Sequence, residues 1–218
     1  MRKITKNLLR VLGVITVLVF TAVGVSAYNY HHYKRRGPDP RDSSVVAARG
    51  GVTPVSGTYM RGFYYPAHGA AHPGTVVVFK GSDGSNNDEL ARQVRDKGYN
   101  VLGLYFFGQP GQQQYLANVP LEFFDEVLAW INNHGDVQEP ITVMGVSKGA
   151  ELVANLAIRY PEIDNIVLYT PTAHNYQGIN YQWEPSPSFV WRGEPVEYVR
   201  LRFLPSSMVR SVMNLPVS

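Results

Sequence analysis

An α/β fold, with a mostly parallel sheet covered by helices on both faces, is the class this 218-residue sequence predicts. Two observations carry it. Four continuous apolar runs of strand length occur at 75–79 (TVVVF), 100–107 (NVLGLYFF), 141–146 (ITVMGV) and 165–170 (NIVLYT). Between them lie segments with helical character at 89–97, 120–133 and 149–159. Strands without polar alternation are buried on both faces, and regular alternation with helices makes such strands parallel.

In chain order, residues 57–65 (GTYMRGFYY) are rich in aromatic and β-branched residues, and PAHGAAHPG then forms a turn. The 75–79 run leads into GSDGSNND, a loop that ends on good helix-capping residues, and the 89–97 helix follows. The 120–133 segment opens on proline and sets Leu121, Phe124, Val127, Leu128 and Ile131 on one stripe, as a core-facing helix does. Beyond Thr170 the pattern fades. No convincing strand appears there, and SSMVRSVMNL (206–215) reads as a short, weak helix.

Composition narrows the function classes. With 44% apolar and 17% charged residues the chain folds, and it is long enough for one domain with a sizeable core. No cysteine is present, which excludes disulfides, thiolate–zinc sites and thiol catalysis. The pI near 9.0 comes from the first 36 residues, which hold seven basic residues and no acid. Without those seven the formal charge falls from +3 to −4 (3 − 7), so a nucleic-acid footprint is not expected.

Residues 11–27, opening on Val11 and closing on Ala27, carry no charge and are flanked by basic residues. Seventeen residues exceed a usual signal-peptide core and match a short membrane span, and Tyr28 and Tyr30 supply an interfacial anchor. The expectation is a single-pass anchor over residues 1–36, with cleavage after Ala27 as the alternative. Arg2, Lys3, Lys6 and Arg10 precede the span, and Lys34, Arg35, Arg36 and Arg41 follow it. The weak balance is read as N-terminus inside, domain outside the cytoplasm. Residues 37–56, broken by prolines and closed by glycines, read as a linker to a domain over 57–218.

The chemistry concentrates at Gly145-Val146-Ser147-Lys148-Gly149. Gly-x-Ser-x-Gly alone is a weak signal, but here it ends a buried strand and opens a helix, as a nucleophile elbow requires. Gly145 and Gly149 permit the sharp turn and close packing, and the helix N-terminus favours an anion. The nucleophile expected is Ser147. An oxyanion hole would use the N–H of Lys148 and one from the loop KGSDGS, with Ser82 chosen. That loop could instead merely cap the next helix, and the Lys148 side chain could point to solvent.

FKGSDGS, NVLGLYFFG with VPLEFFDEVLAWI, GVSKGAELVANLA and YTPTAHNYQGINY together resemble the acyl-CoA thioester hydrolase and bile-acid-CoA:amino-acid N-acyltransferase C-terminal domain family, within the α/β-hydrolase superfamily. The resemblance runs from about Thr58 to Val199. It implies a serine nucleophile at Ser147 and hydrolysis of acyl thioesters or esters through an acyl-enzyme. It also implies an acid and then a histidine further along the chain. Only 71 residues follow Ser147 and no histidine follows His174, so the expectation is a domain incomplete at its C-terminus.

His174, just past the strand next to the elbow strand, is the surrogate base considered, with Glu184 able to orient it. The reversed chain order favours reading His174 as a plain loop histidine. His68, His72 and His134 belong to turns far from the site. His31 and His32 lack a carboxylate partner, so no metal and no cofactor is expected. The partners implied are a small acyl thioester or ester and the membrane; oligomeric state is left open. A non-catalytic binding protein, or an inactive fragment keeping the hydrolase scaffold, is the alternative.

Overall fold

The computed structural model describes residues 2–33, 39, 41–69, 71–134, 139–180 and 185–201. The chain divides into two compact units, Met1–Pro38 and Asp39–Ser218.

The first unit is one helix, α1 (Arg2–Tyr33). Its stretch Arg10–Asn29 is long and apolar enough to cross a membrane, about 30 Å at 1.5 Å per residue. The two threonine hydroxyls within it are satisfied by the helix itself: Thr16 donates to the Leu12 carbonyl and Thr21 to that of Val17, each at 2.9 Å. Length and composition are shared by membrane anchors and signal sequences, so α1 alone does not distinguish them.

The second unit begins inside the stretch read as a linker. Residues 37–56 carry a short helix, α2 (Ser43–Ala48), and a strand, β1 (Thr53–Ser56). Asp42 caps α2 by accepting from the Ser44 N–H at 2.9 Å, and Val46 and Val55 are buried. One buried apolar residue per element is too little periodicity to read from sequence. After β1 come β2 (Arg61–Tyr65) and β3 (Thr75–Phe79). The Glu126 carboxylate fixes the β1–β2 turn, accepting from the Tyr59 N–H at 3.0 Å and that of Met60 at 3.1 Å.

Then follow α3 (Asp88–Arg95), β4 (Asn100–Tyr105), β5 (Val119–Pro120), α4 (Phe123–Asn133), β6 (Ile141–Val146), α5 (Lys148–Ala157) and β7 (Asn165–Tyr169). Six strands form one mixed sheet in the order β1-β2-β4-β3-β6-β7. β1, β2 and β4 are antiparallel in turn, while β4, β3, β6 and β7 run parallel. Val77 faces Leu102 on one side and Val143 on the other.

Period-two alternation divides the core between the two faces. Val77, Phe79, Leu102, Leu104 and Val143 pack with Phe124 and Val127 of α4 and Leu152 and Val153 of α5. Val76, Val78, Val101 and Tyr105 pack with Val46 of α2 and Ala91 of α3. Helices thus cover both faces of a mixed sheet.

Two expectations are corrected. The helix read from residue 120 begins at Phe123, because the preceding residues join a second, small sheet. The N–H of Val119 donates to the Ser188 carbonyl and that of Leu121 to Val190, each at 2.9 Å. The segment beyond Thr170, read as strandless, contributes β8 (Phe189–Trp191) and β9 (Glu194–Pro195) to that sheet, whose order is β5-β8-β9. The β8–β9 hairpin turns on Arg192 (φ 52°) and Gly193 (φ 81°), the paired left-handed conformation of a two-residue turn. The 206–215 helix lies outside the described residues.

Candidate active site

The β6–α5 junction places Ser147 where the sheet's parallel strands end. Its backbone sits at φ 55°, ψ −119°, a conformation L-residues rarely adopt and that costs roughly 1–3 kcal/mol. Three backbone hydrogen bonds hold it there. The Ser147 N–H donates to the Tyr169 carbonyl of β7 at 2.9 Å. Its own carbonyl accepts from Ala150 at 2.9 Å and Glu151 at 3.2 Å. The side chain is exposed.

Contact distances explain the two glycines of the motif. A Cβ on Gly145 would lie 2.2 Å from the Gly149 carbonyl oxygen, and one on Gly149 would lie 1.9 Å from that of Lys80. No side chain fits at either place, so α5 approaches both β6 and the end of β3. That approach brings the loop after β3 alongside the serine: a Cβ on Gly81 would stand 3.1 Å from the Ser147 Cβ and 3.6 Å from its Oγ. Gly81 is buried and the adjoining Ser82 exposed. Among the described residues no acceptor is recorded for the N–H of Ser82 or of Lys148. At Lys148 this is expected of the first residue of a helix.

The Lys148 side chain does not run into solvent. Its ammonium donates to Glu151 Oε1 at 2.7 Å, the Tyr176 carbonyl at 2.9 Å and Ser188 Oγ at 2.8 Å. Burial pulls its pKa below the usual lysine range, and the hydrogen bond and charge of Glu151 oppose that shift. Glu151 is buried and also accepts from the Tyr176 N–H at 2.9 Å, with the Thr172 hydroxyl 3.4 Å from its other oxygen. Sequence reasoning missed Glu151, Tyr176 and Ser188. The one available signal was the Lys148/Glu151 pair at i,i+3 spacing on a helix.

His174 is exposed in the loop that leaves β7 at the same sheet edge, and its carbonyl accepts from the Thr172 hydroxyl at 2.8 Å. Among the described residues its ring has no recorded partner, and Glu184 lies outside them. The remaining histidines of this unit are engaged elsewhere. His68 pairs with Asp96 at 2.9 Å, His72 stacks on Tyr99, and His134 stacks on Trp130 and meets its carbonyl at 2.8 Å. The side chains of His31 and His32 lie outside the described ones. Among the described residues no three His, Asp or Glu side chains gather as metal ligands.

A mixed sheet of this order with a Gly-x-Ser-x-Gly turn on an inner parallel strand defines an α/β-hydrolase-type domain. Residues 119–209 match the family described as BAAT / acyl-CoA thioester hydrolase C terminal. The serine, Lys148 and Glu151 fall within that stretch, whereas Gly81 and Ser82 fall outside it.

Over 95 residues the chain is 34% identical to acyl-coenzyme A thioesterase 6 of Mus musculus, which covers 43% of this chain and 22% of that protein. Over 90 residues it is 31% identical to acyl-coenzyme A amino acid N-acyltransferase 1 of the same species, covering 41% and 21%. The chain therefore spans about a fifth of the length of these relatives. Among solved structures, the alpha/beta hydrolase GrgF from Penicillium sp. sh18 matches with a TM-score of 0.46 at 14% identity, over 54% of this chain and 45% of that one.

Proposed function

We propose that this chain hydrolyses acyl thioesters or esters through an acyl-enzyme on Ser147. The observation that carries the reading is the strained backbone of an exposed serine at a strand-to-helix turn, with Gly81 packed against it. Strain of this kind collects at functional positions because surrounding structure over-determines it. In acylation Ser147 Oγ bonds to the acyl carbon, the bond to the thiol or alcohol breaks, and the serine proton leaves with that group. Water then attacks the acyl-enzyme, releasing the acid and restoring the hydroxyl. The N–H groups of Lys148 and Ser82 are the proposed oxyanion donors, aided by the positive end of α5.

A serine hydroxyl at its free pKa is a weak nucleophile and needs a base. His174 is the candidate within this chain, without a carboxylate partner among the described residues. The 218 residues by themselves therefore support slow catalysis, resting on oxyanion stabilisation and binding, on the order of 10³–10⁴-fold over water. The two mouse relatives, an acyl-coenzyme A thioesterase and an acyl-coenzyme A amino acid N-acyltransferase, favour an acyl-CoA thioester as substrate. A domain held outside the cytoplasm by α1 would favour a simpler ester, since acyl-CoA is a cytoplasmic compound.

The test is covalent. A fluorophosphonate should label the folded chain on the peptide containing Ser147, and Ser147→Ala should remove the label. Labelling elsewhere, or none on a chain with native circular dichroism, would overturn the assignment.

A further inference from the structure

We propose that the Lys148–Glu151 ion pair is a positioning device. It fastens the loop that leaves β7 to the first turn of α5, and so holds one wall of the serine site in place. The inference rests on the Ser147 reading and extends it to two side chains, those of Lys148 and Glu151, that touch neither substrate nor reacting atoms.

Stoichiometry is the first argument. A lysine ammonium has three N–H donors and no acceptor. All three are used here, on Glu151, the Tyr176 carbonyl and Ser188 Oγ. The Ser188 hydroxyl in turn donates to the Tyr176 carbonyl at 2.8 Å. Lys148 thus joins two places: its backbone opens α5 directly after the serine, and its head group is locked to partners 28 and 40 residues downstream.

Placement is the second argument. Glu151 accepts the Tyr176 N–H on one oxygen, and its other oxygen stands 3.4 Å from the Thr172 hydroxyl, whose one proton goes foremost to the His174 carbonyl. His174 lies midway between those two anchor points. One turn further along α5, the Asn155 amide adds a third fastening to Asn175 at 2.6 Å. Three successive side chains of one helix face, Lys148, Glu151 and Asn155, therefore grip a five-residue loop through polar contacts.

The third argument is cost. Burying a charged pair stabilises a fold little compared with an apolar replacement, and its attested use is to select one geometry. With a glutamate only 4% exposed at the foot of the nucleophile's helix, the geometry selected is that of the loop beside Ser147.

The experiment separates positioning from stability. Glu151→Gln leaves a buried ammonium unpaired, whereas Lys148→Met with Glu151→Leu removes both charges and restores an apolar fit. We expect the double variant to melt within a few degrees of the parent. Both variants should nonetheless lose fluorophosphonate labelling rate at Ser147 by about tenfold. With p-nitrophenyl acetate the loss should fall in kcat, not in KM. The Tyr176 amide should exchange with solvent at least tenfold faster in both.

Unchanged labelling rates together with a still-protected Tyr176 amide would overturn the clamp while leaving Ser147 as nucleophile. If the parent chain itself takes no label, the Ser147 reading falls. The exchange rate of Tyr176 then still decides whether the pair anchors the loop.

Discussion

Gly149→Ala is the most direct test of the packing that builds the site. An alanine Cβ there would sit 1.9 Å from the Lys80 carbonyl oxygen, 3.0 Å from its carbon and 3.1 Å from the Phe79 carbonyl oxygen. Cβ contacts below 3.0 Å essentially do not occur, so the helix end must back away from β3 by about 1.1 Å (3.0 − 1.9). The obstacle is backbone at the end of a fully buried strand, which cannot rotate aside. Overpacking of this kind costs about 1–3 kcal/mol, and the backbone target puts this case at the upper end. At roughly 2–4 °C per kcal/mol for a domain of this size, melting should fall by about 6–12 °C.

The same displacement separates Lys148 and Ser147 from Gly81. A misplacement of about 1 Å can cost on the order of 10²-fold in rate, so Ser147 labelling should fall further than stability suggests. The assay is thermal circular dichroism of the full chain alongside the second-order labelling rate constant. Gly193→Ala serves as comparison: its φ is 81° with nothing within 4 Å, so backbone strain alone should cost about 1–2 kcal/mol. If Gly149→Ala melts within 2 °C of the parent and labels normally, the close approach of α5 to the β3 loop is wrong.

Further outcomes concern catalysis, pH and the membrane. The 218-residue chain should turn over p-nitrophenyl acetate very slowly, with the activity abolished by Ser147→Ala and changed less than about twofold by His174→Ala. Brisk turnover that disappears with His174 would instead make that residue the base. Burial pushes the Tyr59 phenol up to about 12, against a slight lowering by the Gln113 backbone hydrogen bond. Tyr65, Tyr105 and Tyr160 are raised as well, in each case foremost by burial. Unfolding must therefore release phenolic protons above pH 10, so stability should be intact below 10 and fall between 10 and 12. Tyr59 alone should account for on the order of 2 kcal/mol of that loss. Denaturant midpoints that stay flat from pH 9 to 12 would contradict the burial of these rings. The chain should fractionate with membranes and resist alkaline carbonate extraction, whereas a mature N-terminus at Tyr28 would identify the first helix as a cleaved signal.

How much of this was legible beforehand follows the range of the interactions. The four apolar runs, the helices between them and the Gly-x-Ser-x-Gly turn were readable because each is a matter of local periodicity or of residues a few positions apart. Bounds slipped where partners are distant. Pro120 looked like a helix start, yet its neighbours bond to Ser188 and Val190, about 70 residues away in the chain. The stretch 37–56 looked like a linker, because the packing of Val46 and Val55 leaves no repeat to read.

The sequence by itself determined the local conformations, the sites where glycine is obligatory, and the separation of a basic, apolar N-terminus from a mildly acidic domain. Tertiary structure alone decided the order of the strands, with β4 lying between β2 and β3. It also decided that β7, largely apolar, pairs among the described residues only with β6, leaving Ile166 44% and Tyr169 46% exposed. Gly81 comes to lie on Ser147, and Lys148 turns inward to Glu151, through contacts between separate loops. Such contacts depend on how whole elements stack, and a one-dimensional pattern carries the period of an element but not the identity of its neighbour.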